Sequence, residues 1–409
     1  MSTIFLLSFF LFTFLLAYAS RRASHIWAPT TRRANLAKKL WFAPLVVIGL
    51  WIIPVILFTD TIITDSINNW IRGIWFLSLM FYSLVGIVLL LARIWHLIRH
   101  GRSIQASESR RRFLAITATG IGSVPVLTMM GGLSNAYRYQ YRKEEISLLS
   151  WPKQLDGFRI IHISDIHTGS FTKKEPLVEA VKQINAMKAD LILFTGDLVN
   201  DTADEVEEYI PIFSKLRAKH GVYSILGNHD YGDYRPWQSK AVKQENLEKL
   251  YQAHQRLGWN LLLNEHTVIE ASEARFAILG VHYWGNLGRF SEQPNDADRG
   301  DIKKAKESLP QDMIKILLSH DPSHFDAEVL NHKDIELTLS GHTHGAQFGV
   351  ENRWLRWSPS QYFYPKWAGL YKVKDQLLYV NRGFGFLGYP GRVGILPEVT
   401  ELILRKKVE

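Results

Sequence analysis

Runs of about twenty apolar residues crowd the first third of the chain, and no other feature limits its fold as strongly. A bilayer core of about 30 Å takes roughly 20 helical residues. Four apolar stretches precede residue 134: Ile4–Ala19, Leu40–Phe58, Ile74–Trp95 and Phe113–Leu133. The second and third have the full length. The first is shorter and ends at Arg21-Arg22, and the fourth is diluted by Gly120, Gly122, Pro125, Gly131 and Gly132. None carries a charge near its middle, where one Lys or Arg would cost roughly 2.5–3.5 kcal/mol. Residues 1–133 are therefore expected to form an N-terminal bundle of about four transmembrane helices, with spans near 4–19, 40–58, 74–95 and 113–133.

Charge follows the same division. Fourteen of the 48 Lys and Arg residues fall in residues 1–141, but only 3 of the 39 Asp and Glu do. The net charge of +9 is thus a property of the apolar third, and the remainder has no global field to attract polyanions. Nucleic acid is excluded as an expected partner. Arg21, Arg22, Arg32, Arg33, Lys38 and Lys39 fill one loop, and Arg99, Arg102, Arg110, Arg111 and Arg112 fill another. Both loops are cytoplasmic by the positive-inside rule, so four crossings place everything after about residue 134 outside the cytoplasm. Ser109-Arg110-Arg111-Arg112-Phe113-Leu114 resembles a twin-arginine export signature, which makes that export machinery an expected partner; the alternative is three arginines that merely flank a span. Ser134-Asn135-Ala136 could serve as a cleavage site that releases the domain. The chain has no cysteine, which excludes disulfides, thiolate metal sites and a cysteine nucleophile.

Residues 134–157 read as a linker, and 158–409 as one α/β domain. Short apolar runs at Arg159–Ser164, Asp190–Thr195, Val222–Leu226 and Ile314–Ser319 predict buried strands, as does Phe276–Gly280. Amphipathic stretches at Glu175–Met187, Ala203–Lys219 and Ser239–Leu257 predict helices between them. Ile335–Ser340, Gly369–Lys374, Leu377–Asn381 and Val399–Leu404 follow as strands mostly without helices, so the sheets should be mixed in direction.

Five of these strands run into metal-ligand residue types: Asp165-Ile166-His167, Gly196-Asp197, Gly227-Asn228-His229-Asp230, His320-Asp321 and Gly341-His342-Thr343-His344-Gly345. Strand ends are where α/β folds place their chemistry. Carboxylate and imidazole without thiolate suit Mn, Fe or Zn. In extended backbone, residues two apart point to one side, so Asp165 with His167, and His342 with His344, could each grip one ion. A pair of ions needs one bridging carboxylate and about three further ligands each, and this inventory supplies them.

The ordered set Asp165-x-His167, Gly196-Asp197, Gly227-Asn228-His229-Asp230, His320 and Gly341-His342-x-His344 resembles the calcineurin-like metallophosphoesterases over about residues 155–407. The tail Leu378–Gly385, with Pro390, Arg392 and Pro397-Glu398, resembles their bacterial membrane-associated and twin-arginine-exported phosphodiesterase branch. That resemblance implies a layered α/β/β/α sandwich and two divalent metal ions. It implies that Asp165, His167 and His344 hold the first ion and that Asn228, His320 and His342 hold the second, with Asp197 bridging. His229 would be the catalytic acid, Asp230 would orient its imidazole, and a metal-bridging hydroxide would attack phosphorus in line. The implied function is a phosphodiesterase anchored in the bacterial inner membrane, its substrate a phosphate ester that could be lipid-linked. Two alternatives stand beside it: a lipid-linked pyrophosphatase of the UDP-2,3-diacylglucosamine hydrolase type, and a non-catalytic membrane receptor or scaffold. The chain departs from many relatives at Ala346, where they carry glycine, and at Val281–Gly285, where they carry acidic residues.

Other residues remain open. His162 points away from Asp165 along its strand and is expected in the core. His282, His324 and His332 lack ligand spacing and are expected at the surface. Trp354, Trp357, Tyr362, Phe363, Tyr364 and Trp367 form either a lipid-facing lip or a loop packed on its own aromatics. Arg382 and Arg392 could contact substrate phosphate or make structural ion pairs. The acidic run 201–208 suits the start of a helix.

Overall fold

The computed structural model describes residues 65–100, 108–285 and 299–407, together with Thr13 and Ala17. The chain divides into two compact units at Gly131/Gly132. In the first, α1 (Asp65–His100) and α2 (Glu108–Leu133) contain the stretches Leu77–Arg99 and Ile116–Leu133, each long and apolar enough to cross a membrane. Their side chains are largely exposed, among them Leu90, Leu91, Ile98, Phe113 and Leu127, as lipid-facing side chains would be. Gly122 of α2 lies against α1, where a Cβ would come 2.6 Å from Val85 Cγ2. A residue without a side chain lets the two helices approach. These two helices, and not a four-helix bundle, are what the described residues contain. The expected spans 4–19 and 40–58 lie outside them, apart from positions 13 and 17.

The second unit holds two six-stranded sheets. Its strands are β1 (Gln140–Leu148), β2 (Phe158–Ile163), β3 (Leu191–Phe194), β4 (Val222–Ser224), β5 (Asn260–Leu261), β6 (Glu265–Ala271) and β7 (Ala274–Gly280). They continue as β8 (Lys315–Leu318), β9 (Ile335–Ser340), β10 (Val350–Glu351), β11 (Arg356–Trp357), β12 (Gly369–Val373), β13 (Gln376–Val380) and β14 (Glu398–Lys406). The first sheet runs β1-β14-β2-β3-β4-β5, with β2 to β5 parallel and β14 antiparallel to β2. The second runs β12-β13-β9-β8-β7-β6, parallel from β13 to β7 and antiparallel at both edges. β10 and β11 form a separate hairpin.

Strand alternation builds the layers. Phe158 and Ile160 of β2 pack between the sheets with Phe276, Ile278, Ile316 and Leu337, while Ile161 and Ile163 face the helices. With both faces covered, inner strands such as β3 and β8 are almost wholly apolar, which is why they read as unbroken apolar runs. On α3 (Glu175–Ala186), Leu177, Ala180, Val181 and Ile184 are buried, the stripe expected of a helix with one face on a sheet. α4 (Lys240–Leu257) buries Leu250, Ala253 and Leu257 in the same layer. Ile302 and Phe325, from two short helices, cover the far side of the second sheet. The mixed sheets and the helix layers agree with the fold expected from sequence.

Two local expectations differ. The helix expected over 203–219 is a 3-10 segment, Ala203–Tyr209, followed by one helical turn, Ile210–Phe213, because Pro211 cannot donate to the preceding turn. Residues 134–157, read as a linker, contain β1, which pairs in parallel along its whole length with β14. It is an edge strand with alternate residues exposed, so its polar sequence hid it.

Candidate metal centre

The C-terminal ends of β2, β3 and β4 in one sheet, and of β8 and β9 in the other, carry the chemistry. Each ligand type singled out from sequence stands just beyond one of them. The turns are not the extended segments that the two-apart spacing assumed. Asp165, His167, Asp197, His342 and His344 all have φ between 48° and 71°. Left-handed backbone costs a non-glycine residue on the order of 1–3 kcal/mol, and such strain persists only where the surroundings enforce it. Here Asp165 N–H donates to the Gly196 carbonyl, His167 N–H to the Asp197 carbonyl, and His342 N–H to the Asp165 carboxylate at 2.9 Å. Gly227 and Gly341 are needed for another reason: a Cβ at either would collide with the carboxylate of Asp197 or Asp165.

The donor atoms collect into two groups. Asp165, His167 and His344 form one, and Asp197, His320 and His342 the other, with the atoms of each group within 4.8 Å of one another. In the first, His167 Nε2 and His344 Nε2 face each other at 3.1 Å, and His344 Nε2 lies 3.3 Å from Asp165 Oδ1. Asn228 joins the second, its Oδ1 lying 2.9 Å from His342 Nδ1. Asp197 Oδ2 sits between the groups, 3.5 Å from His167 Nε2 and 3.1 Å from His320 Nε2.

Neighbours set which atom of each side chain faces inward. His320 Nδ1–H donates to the Thr195 carbonyl at 2.6 Å, which leaves Nε2 for the centre. Asn228 Nδ2 donates to the Tyr234 hydroxyl at 2.8 Å, which turns Oδ1 inward. His342 Nε2 meets the Tyr364 hydroxyl at 2.7 Å, which leaves Nδ1 for the centre. Burial pushes Tyr364 up to about 12, so its hydroxyl keeps its proton at neutral pH. Tyr283, from the segment that departs from many relatives, packs its ring about 6 Å from those of His320 and His342 and donates to Asp321.

Charge in the site favours cations. Burial holds His167 well below the ordinary histidine range and brings His342 down to about 4, so both are neutral donors. Burial alone would raise Asp165 and Asp197, but the histidines beside them outweigh it and keep both ionised. Burial likewise lowers His320, yet the two carboxylates overcome it and hold this residue up at about 10.

His229 keeps its ring at the edge of the centre. It stacks on Tyr234 at 4.3 Å and meets His167 edge-on at 5.0 Å. Its Nδ1–H donates to the Asn200 carbonyl at 2.7 Å, so the free Nε2 is the atom that can hold or give a proton. Asp230 does not orient this imidazole. Its two oxygens accept from the backbone N–H groups of Asp197, Leu198, Val199 and Gly227, which ties the turn after β3 to the turn after β4.

The arginines resolve as structural. Arg392 is completely buried and donates to the carbonyls of His344, Arg382, Gly383 and Gly385, with Nη2 3.1 Å behind His344 Nδ1. Arg382 is paired with Glu398 and Glu351. His162 is in the core, bonded to Thr195 Oγ1. His282 and His324, expected at the surface, are buried: His282 bonds Tyr231, and His324 joins Ser319 to Glu328 and stacks on Trp284.

The model of the calcineurin-like phosphoesterase family matches residues 158–346. The metallophosphoesterase YkuE of Bacillus subtilis is 31% identical over 307 residues, which cover 73% of this chain and 98% of that protein. The chain belongs to the calcineurin-like phosphoesterase family. The phosphodiesterase YaeI of Escherichia coli is 28% identical over 300 residues, 72% of this chain and 99% of its own length. A transmembrane protein with a metallophosphoesterase domain from Bos taurus is 26% identical over 320 residues, covering 75% of this chain and 66% of that protein. This metallophosphoesterase is accordingly a metal-dependent phosphoric ester hydrolase, and its apolar helices and transmembrane relatives point to membrane association. The family works with divalent metal ions, and the donor set fits them. Ligands about 2.1 Å from a tetrahedral ion lie about 3.4 Å apart, and the spacings of 3.1–3.5 Å around Asp197 Oδ2 and His344 Nε2 are of that size.

Proposed function

We propose that the protein is a membrane-anchored two-metal phosphohydrolase that prefers phosphodiesters to monoesters. The observation that carries the reading is Asp197, one carboxylate oxygen of which faces a histidine from each donor group. Asp165, His167 and His344 would hold one ion, and Asn228, His320 and His342 the other, with Asp197 shared between them. Mn, Fe and Zn all suit this donor set. The ions would supply positive charge to the phosphoryl oxygens and a water acidic enough to attack at neutral pH.

The chain's own groups do the rest. Asn200 and Tyr234 fix the His229 ring, so a proton on Nε2 can pass to the departing oxygen. Thr195 and Tyr364 keep the ligand faces of His320 and His342 inward, and Asp230 locks the two turns that bear Asp197 and Asn228. The basic loops of the first third support several spans with the catalytic unit outside the cytoplasm, and Arg110–Arg112 support twin-arginine export. Alkaline phosphatase fused after residue 409 would be active in that topology and inactive in the reverse one.

The test of activity uses the full chain in detergent, stripped of metal and reloaded with Mn²⁺, Fe²⁺ or Zn²⁺. Metal-dependent turnover of bis(p-nitrophenyl) phosphate should exceed that of p-nitrophenyl phosphate. His229→Ala should lower it by about 10²–10⁴-fold while ion binding persists. Protein that binds ions yet hydrolyses neither ester would contradict the reading.

A further inference from the structure

The segment 350–374 runs from the β10–β11 hairpin through a following turn into β12, the edge strand of the second sheet, and before that strand it exposes side chains that a water-facing loop normally keeps covered. Trp354 is 80% exposed, Phe363 81% and Tyr362 71%, with Leu355 and Val350 also exposed. Isolated exposed apolar residues are ordinary, but three large aromatics on adjoining turns are not. The two turns are joined by Trp357 Nε1–H, which donates to the Tyr362 hydroxyl at 3.3 Å.

The charge around them is mostly positive. Residues 350–374 contain Arg353, Arg356, Lys366, Lys372 and Lys374 against a single acid, Glu351. Asp326 takes up Lys366, and Arg356 shares Glu351. Arg353 lies over the Trp354 ring at 4.0 Å, its charge beside the most exposed apolar surface of the hairpin. Exposed Trp, Tyr and Phe interleaved with Arg and Lys are the composition of a surface that rests in the headgroup layer of a bilayer, rings toward the acyl boundary and cations among the phosphates. A chain with two helices long and apolar enough to cross a membrane has a bilayer at hand.

The base of the segment is bonded to the ligand turn. Ser358 Oγ donates to the Gly345 carbonyl at 2.7 Å, Thr343 Oγ1 donates to the Trp367 carbonyl at 2.6 Å, and the Tyr364 hydroxyl meets His342 Nε2 at 2.7 Å. Trp367 is buried against Ile395 and Ala368, so the base is packed as well as bonded. From this juxtaposition we infer that the aromatic and basic segment 350–374 docks on an anionic bilayer surface and presents the metal centre to phosphodiesters in the headgroup layer. The substrate part of this inference rests on the phosphodiesterase reading above; the docking part does not.

The absence of cysteine makes docking directly measurable in the full chain. A single Phe363→Cys substitution gives one attachment point for an environment-sensitive nitrobenzoxadiazole dye, Tyr362→Cys gives a second, and Val178→Cys on α3 gives a control at a 47% exposed site. The labelled proteins are reconstituted into phosphatidylcholine vesicles with and without phosphatidylglycerol. Emission from positions 362 and 363 should shift to the blue and fall at least about twofold with headgroup-proximal spin-labelled lipid, more so with phosphatidylglycerol present, while position 178 should not respond. Equal responses at 178 and 363, or none at 363, would overturn the docking assignment. So would a shift at 363 that follows protein density rather than lipid composition, since that marks contact with a second copy. Docking without hydrolysis of soluble bis(p-nitrophenyl) phosphate would retain the surface and remove the phosphodiesterase reading; hydrolysis without docking would do the reverse.

Discussion

Removal of one oxygen atom, by Tyr364→Phe, separates the two donor groups. The Tyr364 hydroxyl reaches Nε2 of His342, the side of the ring opposite the Nδ1 that faces Asn228. The ring itself meets the imidazole edge-on at 5.2 Å, and phenylalanine keeps that packing. What is lost is one hydrogen bond that fixes the imidazole's tautomer and direction. A neutral bond of this kind contributes about 0.5–1.5 kcal/mol, and more once a cation on Nδ1 polarises the Nε2–H. Tyr364 is only partly buried, so water can replace some of the loss. A net loss of about 1–2 kcal/mol corresponds to about 5–30-fold weaker binding of the ion on the Asn228, His320 and His342 side. The ion on the Asp165, His167 and His344 side should bind as before, because Tyr364 touches none of those residues. Calorimetric titration of the metal-free full chain with Mn²⁺ resolves the two steps. Equal weakening of both steps, or of neither, would refute the reasoning.

Two further outcomes rest on groups outside the donor set. Arg392→Met should destabilise the fold by about 3–5 kcal/mol in denaturant unfolding, since it orphans carbonyls on residues 344, 382 and 385 in a fully buried place; a change under about 1 kcal/mol would show those carbonyls to be satisfied otherwise. Burial lowers His254, on the buried face of α4, to about 3, so below about pH 6.5 the unfolded chain takes a proton that the folded chain refuses, and stability falls as pH drops from 6.5 toward 3. Between pH 6.5 and 5 this amounts to about 2 kcal/mol, and His254→Gln should remove that part of the acid sensitivity; unchanged pH dependence in the variant would contradict it.

The site was legible where chemistry and pattern coincide. Asp and His at the ends of unbroken apolar runs are visible because a strand buried on both faces leaves nothing polar until its end. The conformation of those ends was not visible, since Asp165, His167, His342 and His344 reach left-handed backbone through contacts with Gly196, Asp197 and one another rather than through glycine. The outer contacts were hidden for two reasons. Thr195 and Asn200 act through carbonyls, which every residue has. Tyr364 and Arg392 come from 22 and 48 residues beyond the histidines they touch, distances no local spacing rule covers. His324 could have been found: Glu328 stands four residues on, at helical spacing. β1 was missed because an edge strand with one face in water carries Arg142, Lys143, Glu144 and Glu145 without penalty.

The most direct test of the central claim is the number of ions bound per chain at saturation, followed alongside turnover. Equilibrium dialysis against Mn²⁺ should give about two ions for the native chain and about one for His167→Ala/His344→Ala, with hydrolysis of bis(p-nitrophenyl) phosphate rising only as the second ion enters. A native chain that saturates at one ion, or whose turnover is complete with the first, would contradict a centre shared across Asp197.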